Sequence, residues 1–264
     1  MKRLIKLITI TAFSFVLYSC QQDYVAPNQF SDIMFTISNG NTNGSATGVL
    51  AVSQNFYLTF MDLSQGAISH NWSITGQDGL KFLSNGFSAV TTDSLNRQNH
   101  IIPDSVLNSK TVNVFFKKEG IYTVTWKDVF KDSVGYISNG SVRDSISHNW
   151  LFKKIFTVQV YGRLIPLVTI YKNTSEQISN SVDTIRLSIG DNLTFTEASK
   201  GYPTSRTWTI NGGTPSSDVT SNFTTKFNKA GIYTNSSLTL NRTVSSNPSL
   251  AASLKYPLPV IKVQ

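Results

Sequence analysis

Beyond residue 30 the chain is built from short alternations of bulky and polar residues, with no sustained apolar period of 3.6. The stretches NFYLTFMDLS (55–64) and HNWSITG (70–76) alternate with period two, the pattern of strands that bury one face. TVNVFFKKEGIYTVTWKDV (111–129) reads as a strand, a KKEG turn and a second strand that carries Tyr122, Val124 and Trp126 on one face. KIFTVQVYG (154–162) closes this half. Asn39-Gly40 and Asn43-Gly44 are dipeptides suited to tight turns. The predicted class is all-β.

A second half repeats the theme at shorter length. DTIRLSIGDNLTFTEASKG (183–201) gives two strands around Gly190-Asp191, followed by RTWTINGG (206–213), KFNKAGIYTNSSLTLNRT (226–243) and YPLPVIKVQ (256–264). Two anchors align between the halves: Trp72 with Trp208, and Gly120-Ile121-Tyr122 with Gly231-Ile232-Tyr233. The Trp-to-Gly separations are 48 and 23, so the first copy carries about 25 extra residues, which fall in 77–110. The Gly162-Arg163 break ahead of Pro166 predicts a junction between domains at 30–162 and 163–264. Trp72, Trp208, Tyr122 and Tyr233 are expected on inner faces, because large aromatics flanked by alternating apolar residues suit packed sheets.

At these residues the chain resembles PKD-type domains. Trp208-Thr209-Ile210-Asn211-Gly212-Gly213 and Ala230-Gly231-Ile232-Tyr233 echo that family's W-x-F-x-G-G and G-x-Y-x-V. The resemblance covers most of 185–264 and, more loosely, 30–161. It implies two tandem immunoglobulin-like β-sandwiches, the first enlarged. The family's acidic D-G-D-G turn has no counterpart: Ile74-Thr75-Gly76 and Ile210-Asn211-Gly212-Gly213 stand in its place. Calcium binding at that turn is therefore not implied.

The N-terminus changes the biological picture. MKRLIK is basic, Leu7 to Leu17 is an apolar run of eleven residues, and Tyr18-Ser19-Cys20 follows. That is the layout of a secretory signal, and the run is short of the roughly 20 residues a spanning helix needs. Leu17-Tyr18-Ser19-Cys20 also resembles a bacterial lipobox, which implies cleavage before Cys20, lipidation of its thiol and residues 20–29 as a spacer. Cys20 is the one cysteine, so no intramolecular disulfide competes for it. Loss of residues 1–19 removes Lys2, Arg3, Lys6 and no acid, which takes the formal charge from +8 to +5. The remaining cations are scattered, unlike the basic patch of a nucleic-acid module, so no nucleic-acid partner is expected.

No catalytic motif stands out. A phosphate loop, a G-x-S-x-G elbow and H-E-x-x-H are all absent from the sequence, and no enzyme, cofactor or metal is expected. Ser69-His70-Asn71-Trp72 and Ser147-His148-Asn149-Trp150 repeat one string, read as a strand entry whose His and Asn satisfy backbone groups. Asp followed by Ser or Thr and an aliphatic residue recurs at Ser94, Ser105, Ser133, Ser145 and Thr184. It resembles the O-glycosylation motif of Bacteroidetes envelope proteins and equally fits a turn that opens a strand. Sugars stack on exposed rings, which makes Tyr136, Trp150 and Tyr202, with Phe87, the candidate glycan contacts. Together these features predict a non-catalytic lipoprotein, anchored in the outer membrane through Cys20 and facing the cell exterior. It would bind polysaccharide for a TonB-dependent transporter, or else dock on another envelope protein without binding sugar.

Overall fold

The computed structural model describes residues 31–38, 48–76, 78–84, 97–134, 142–143, 148–179 and 182–264. The leader, Cys20, Phe87, Ser94, Tyr136 and Ser145 lie outside the described residues.

The first half contains β1 (Phe35–Ile37), β2 (Leu50–Ser53), β3 (Phe56–Asp62), β4 (Ala67–Thr75), β5 (Leu80–Leu83) and β6 (Ile101–Ile102). It continues with β7 (Val106–Leu107), β8 (Thr111–Phe116), β9 (Gly120–Phe130), β10 (Val142–Arg143) and β11 (Trp150–Tyr161). They form two facing sheets, ordered β1-β3-β8-β5-β6 and β10-β11-β9-β4-β7, with β2 added in parallel to β11. The second half contains β12 (Val168–Lys172), β13 (Glu176–Ile178), β14 (Thr184–Leu187), β15 (Asn192–Glu197), β16 (Ser205–Thr209) and β17 (Ser217–Asp218). After these come β18 (Asn222–Lys226), β19 (Gly231–Tyr233), β20 (Ser237–Arg242), a 3₁₀ turn (Pro248–Leu250), β21 (Ala252–Pro257) and β22 (Val260–Val263). The sheets are β13-β12-β15-β18, β14-β22-β19 and β17-β16-β20-β21.

The two strand orders correspond. In each half an antiparallel layer (β1-β3-β8, or β12-β15-β18) faces a layer in which an early strand pairs in parallel with the last (β2 on β11, β14 on β22). This is the immunoglobulin-like sandwich. The extra residues of the first half build β5 and β6 on the free edge of β8, whereas β7 on the edge of β4 has its counterpart in β17 on β16. Covering an edge in this way satisfies backbone groups that would otherwise be open to pairing.

Each half has its own core, one drawn from Ile33 to Val160 and one from Val168 to Val263. Trp72 and Trp126 stack at 5.5 Å in the first, with Phe60 against Trp72 at 5.7 Å. In the second, Phe195 lies 5.4 Å from Trp208, and the Trp208 indole N–H donates to the Thr220 carbonyl at 2.9 Å. Trp72 and Trp208 are fully buried, as their alternation predicts, whereas Tyr122 and Tyr233 are half-buried at the rim of their cores. The reason is the hydroxyl. Tyr122 donates to the Lys118 carbonyl at 3.2 Å and Tyr233 to that of Lys229 at 3.0 Å, each four residues upstream. A Cβ at Gly79 or Gly212 would collide with the corresponding ring, so both corners need glycine there.

Candidate functional site

Among the described residues, two regions concentrate polar chemistry. The first is the junction of the halves. Arg242, buried at the end of β20, donates from Nη1 to the Gly162 carbonyl at 2.6 Å and to the Gly201 carbonyl at 2.7 Å. Its Nε donates to Leu250 at 2.9 Å, and its guanidinium lies 5.2 Å from the Tyr161 ring centre. Burial lowers its pKa from the usual arginine value. The guanidinium thus ties the linker to the turn at 201–203. Gly201 has φ +88, and a Cβ there would run into the Arg163 carbonyl, so only glycine lets the turn lie so close to the linker.

That turn presents Tyr202. Its backbone is left-handed at φ 57, the residue is 43% exposed, and its ring meets Tyr161 edge-on at 5.9 Å. Beside it lies an open groove of about 430 Å³ lined by Glu119, Lys200, Tyr202 and Arg206 among others. A second cleft of about 510 Å³ lies along Gln54, Tyr161, Arg163 and Arg242.

The second region lies inside the first sandwich. Asp62 ends β3 on one sheet, while His70 (β4) and Asp128 (β9) are cross-strand partners on the other. Both aspartates are buried and His70 is half-buried. His70 Nδ1 contacts Asp62 Oδ2 and lies 3.3 Å from Asp128 Oδ1. The Ser64 N–H donates to Asp62 Oδ1 at 2.8 Å, and the Trp126 indole N–H to Asp128 Oδ1 at 2.7 Å. Burial, reinforced by the neighbouring Asp62 carboxylate, pushes the Asp128 pKa up to about 8. One ligand atom from each of the three residues falls within 4.8 Å of the others.

The structure departs from the strand-entry expectation at His70. His70 does not serve backbone groups at a strand entry: it points inward within β4, in phase with Trp72 and Ile74. The repeated string does not carry the role over, since His148 precedes β11 with φ 59 and an exposed side chain. Asp62 and Asp128 were not foreseen, although a signal existed. Leu58, Phe60 and Asp62, like Val124, Trp126, Asp128 and Phe130, occupy one inward-facing phase, and an acid in that phase is a buried acid.

The candidate aromatics separate. Tyr202 is exposed beside the groove, while Trp150 opens β11 half-buried against the first core. Among the proposed acceptor hydroxyls, Ser105 and Thr184 are half-buried where β7 and β14 begin, and Ser133 is exposed after β9. None of these gathers with Tyr202 in one site.

No family model and no curated protein matches this chain. Among solved structures it is similar to the four N-terminal Ig domains of Dscam1 isoform 4.44, at 12% identity and a TM-score of 0.41 over 90% of this chain and 47% of that one. It is also similar to the C-terminal domain of the Streptococcus pyogenes antigen I/II-family protein AspA, at 12% identity and a TM-score of 0.25, over 88% and 99%. The chain spans about half the length of the Dscam1 structures it matches. The sandwich assignment therefore rests on strand order and pairing.

Proposed function

We propose that the chain is a non-catalytic envelope lipoprotein, held by a lipid on Cys20, that captures polysaccharide at the groove beside Tyr202. Its place would be an uptake system on the outer membrane of a Bacteroidetes-type cell, beside a TonB-dependent transporter. The lipobox, the PKD-like anchors and the Asp-Ser/Thr motifs support the setting. One observation carries the site: Tyr202 is an exposed ring braced edge-on by Tyr161. A fixed ring of this kind suits the C–H face of a sugar, and Glu119, Lys200 and Arg206 stand near enough to meet its hydroxyls.

Affinity electrophoresis of the soluble chain beginning after Cys20, against plant, microbial and host polysaccharides, tests this. Retardation by one polymer is expected, with Tyr202→Ala weakening it at least tenfold and leaving the melting temperature nearly unchanged. Retardation by no polymer would overturn the reading in favour of docking on another envelope protein.

A further inference from the structure

The two sandwiches place side chains at the same three positions behind their core tryptophan. Phe60 and Phe195 pack on Trp72 and Trp208, and two residues after each stands an acid, Asp62 or Glu197. Each acid accepts a backbone N–H from the serine two residues on, Ser64 at 2.8 Å and Ser199 at 2.6 Å. Each faces a base two residues before the tryptophan. In the second half this is Arg206, whose Nε lies 2.7 Å from Glu197 Oε2. In the first it is His70. The third position is the cross-strand partner of the base: Leu240 opposite Arg206, but Asp128 opposite His70.

The second half is balanced, with one carboxylate, one permanent cation and one apolar neighbour. The first has two buried carboxylates and only an imidazole between them. Charges so placed need a cation or a proton, because burial without compensation is costly. Donors from outside the group hold one oxygen of each carboxylate: the Ser64 N–H takes Asp62 Oδ1 and the Trp126 indole takes Asp128 Oδ1. Of the remaining atoms, Asp62 Oδ2 and His70 Nδ1 meet only within the group, and Asp128 Oδ2 is buried with no hydrogen-bond partner among the described residues. Outer donors that orient ligating carboxylates in this manner are a regular feature of metal sites.

We propose that Asp62, His70 and Asp128 bind a divalent first-row transition-metal ion, with zinc the best match. An imidazole with two carboxylates is a zinc donor set. Calcium asks for six to eight oxygens and magnesium for an octahedral, mostly hydrated shell, neither of which this group provides. The ion takes the place of the proton that must otherwise lie among these atoms. The His70 side chain, 16% exposed, gives it a way in. Asp128 pairs with Phe152, nine residues before Tyr161 on β11, which puts the site about 30 Å from the junction at the usual rise per strand residue. It is independent of the groove beside Tyr202.

The test is equilibrium dialysis of the untagged, chelator-treated chain against Zn²⁺, with elemental analysis. One equivalent per chain is expected, lost in Asp128→Asn, at least tenfold weaker in His70→Gln and unchanged in Asp132→Asn, whose carboxylate is exposed. Co²⁺ added to the unaltered chain should give visible d–d bands that Zn²⁺ displaces, a readout that does not depend on any variant folding. No stoichiometric Zn²⁺, the same binding in the two site variants as in the parent, or no Co²⁺ spectrum would each overturn the proposal and leave a proton as the shared cation.

Discussion

The two sandwiches solve one packing problem with different residues. Both must join their facing sheets at the end of the second strand of the antiparallel layer, where the apolar alternation stops. The second half joins them with Glu197 and Arg206 beside Leu240. The first uses Asp62 and His70 beside Asp128. Both halves thus place an acid and a base at this point and differ in the third residue. A leucine there completes a structural clamp. An aspartate makes the same place a cation site.

Exchanging the third residue should break the comparison most sharply. Leu240→Asp puts a second carboxylate beside Glu197 with no indole to receive it, since the residue in the place of Trp126 is Leu238. A buried charge left unpaired costs about 3–5 kcal/mol. In metal-stripped protein the reciprocal Asp128→Leu removes a carboxyl that burial already holds protonated and gives up the Trp126 hydrogen bond, so its cost should stay below roughly 3 kcal/mol. Trp208 is the one tryptophan of the second half, so its separate ¹⁹F resonance in 5-fluorotryptophan-labelled protein reports that half during denaturation. Equal costs for the two substitutions would mean that the third position is not what distinguishes the halves.

pH gives the next largest contrast. In metal-stripped protein Asp128 holds its proton up to about pH 8 in the native state, because burial and the Asp62 carboxylate disfavour ionisation. The unfolded chain releases that proton near pH 3.9. Stability from this group is therefore complete below about pH 4 and is lost as pH rises toward 8. The first half should melt at progressively lower temperature over that range. Asp128→Asn should flatten the curve, and the second half, with Leu240 in its place, should lack this component. Scanning calorimetry in chelator from pH 4 to 8, with the Trp208 ¹⁹F resonance followed in parallel, checks it. A first half that gains stability over this window would contradict the assignment.

Much of this was legible in the sequence. Period-two alternation placed the strands, and the repeated Trp and Gly-Ile-Tyr anchors located equivalent positions in each sandwich, because close-packed rings and the turns beside them tolerate few residue types. The 77–110 insertion was legible only as length, since the strands it adds, β5 and β6, are four and two residues long, too short for any periodicity. The junction groove was hidden for a different reason. Tyr202 is presented by a left-handed turn held by Arg242, forty residues further on, and no local pattern announces a contact of that kind. The Asp62–His70–Asp128 group lies between. Its acids sit in the inward phase of their strands, yet their convergence depends on register between β4 and β9 and on the facing of two sheets.

The smallest effect tests whether the halves agree where their sequences agree. Lys118-Glu119-Gly120-Ile121-Tyr122 and Lys229-Ala230-Gly231-Ile232-Tyr233 build the same corner, with the tyrosine hydroxyl returned to the carbonyl four residues back. A neutral hydrogen bond of this type contributes about 1 kcal/mol net, so Tyr122→Phe and Tyr233→Phe should each lower the stability of their own half by roughly that amount. The second should be slightly more costly: Tyr233 makes one bond at 3.0 Å, whereas Tyr122 divides its donor between Lys118 at 3.2 Å and Glu119 at 3.3 Å. Each ring keeps its place against glycine in the phenylalanine variant, so the change isolates the hydroxyl. A cost near zero in one half alone would show that this corner is held by ring packing there and by the hydrogen bond only in the other.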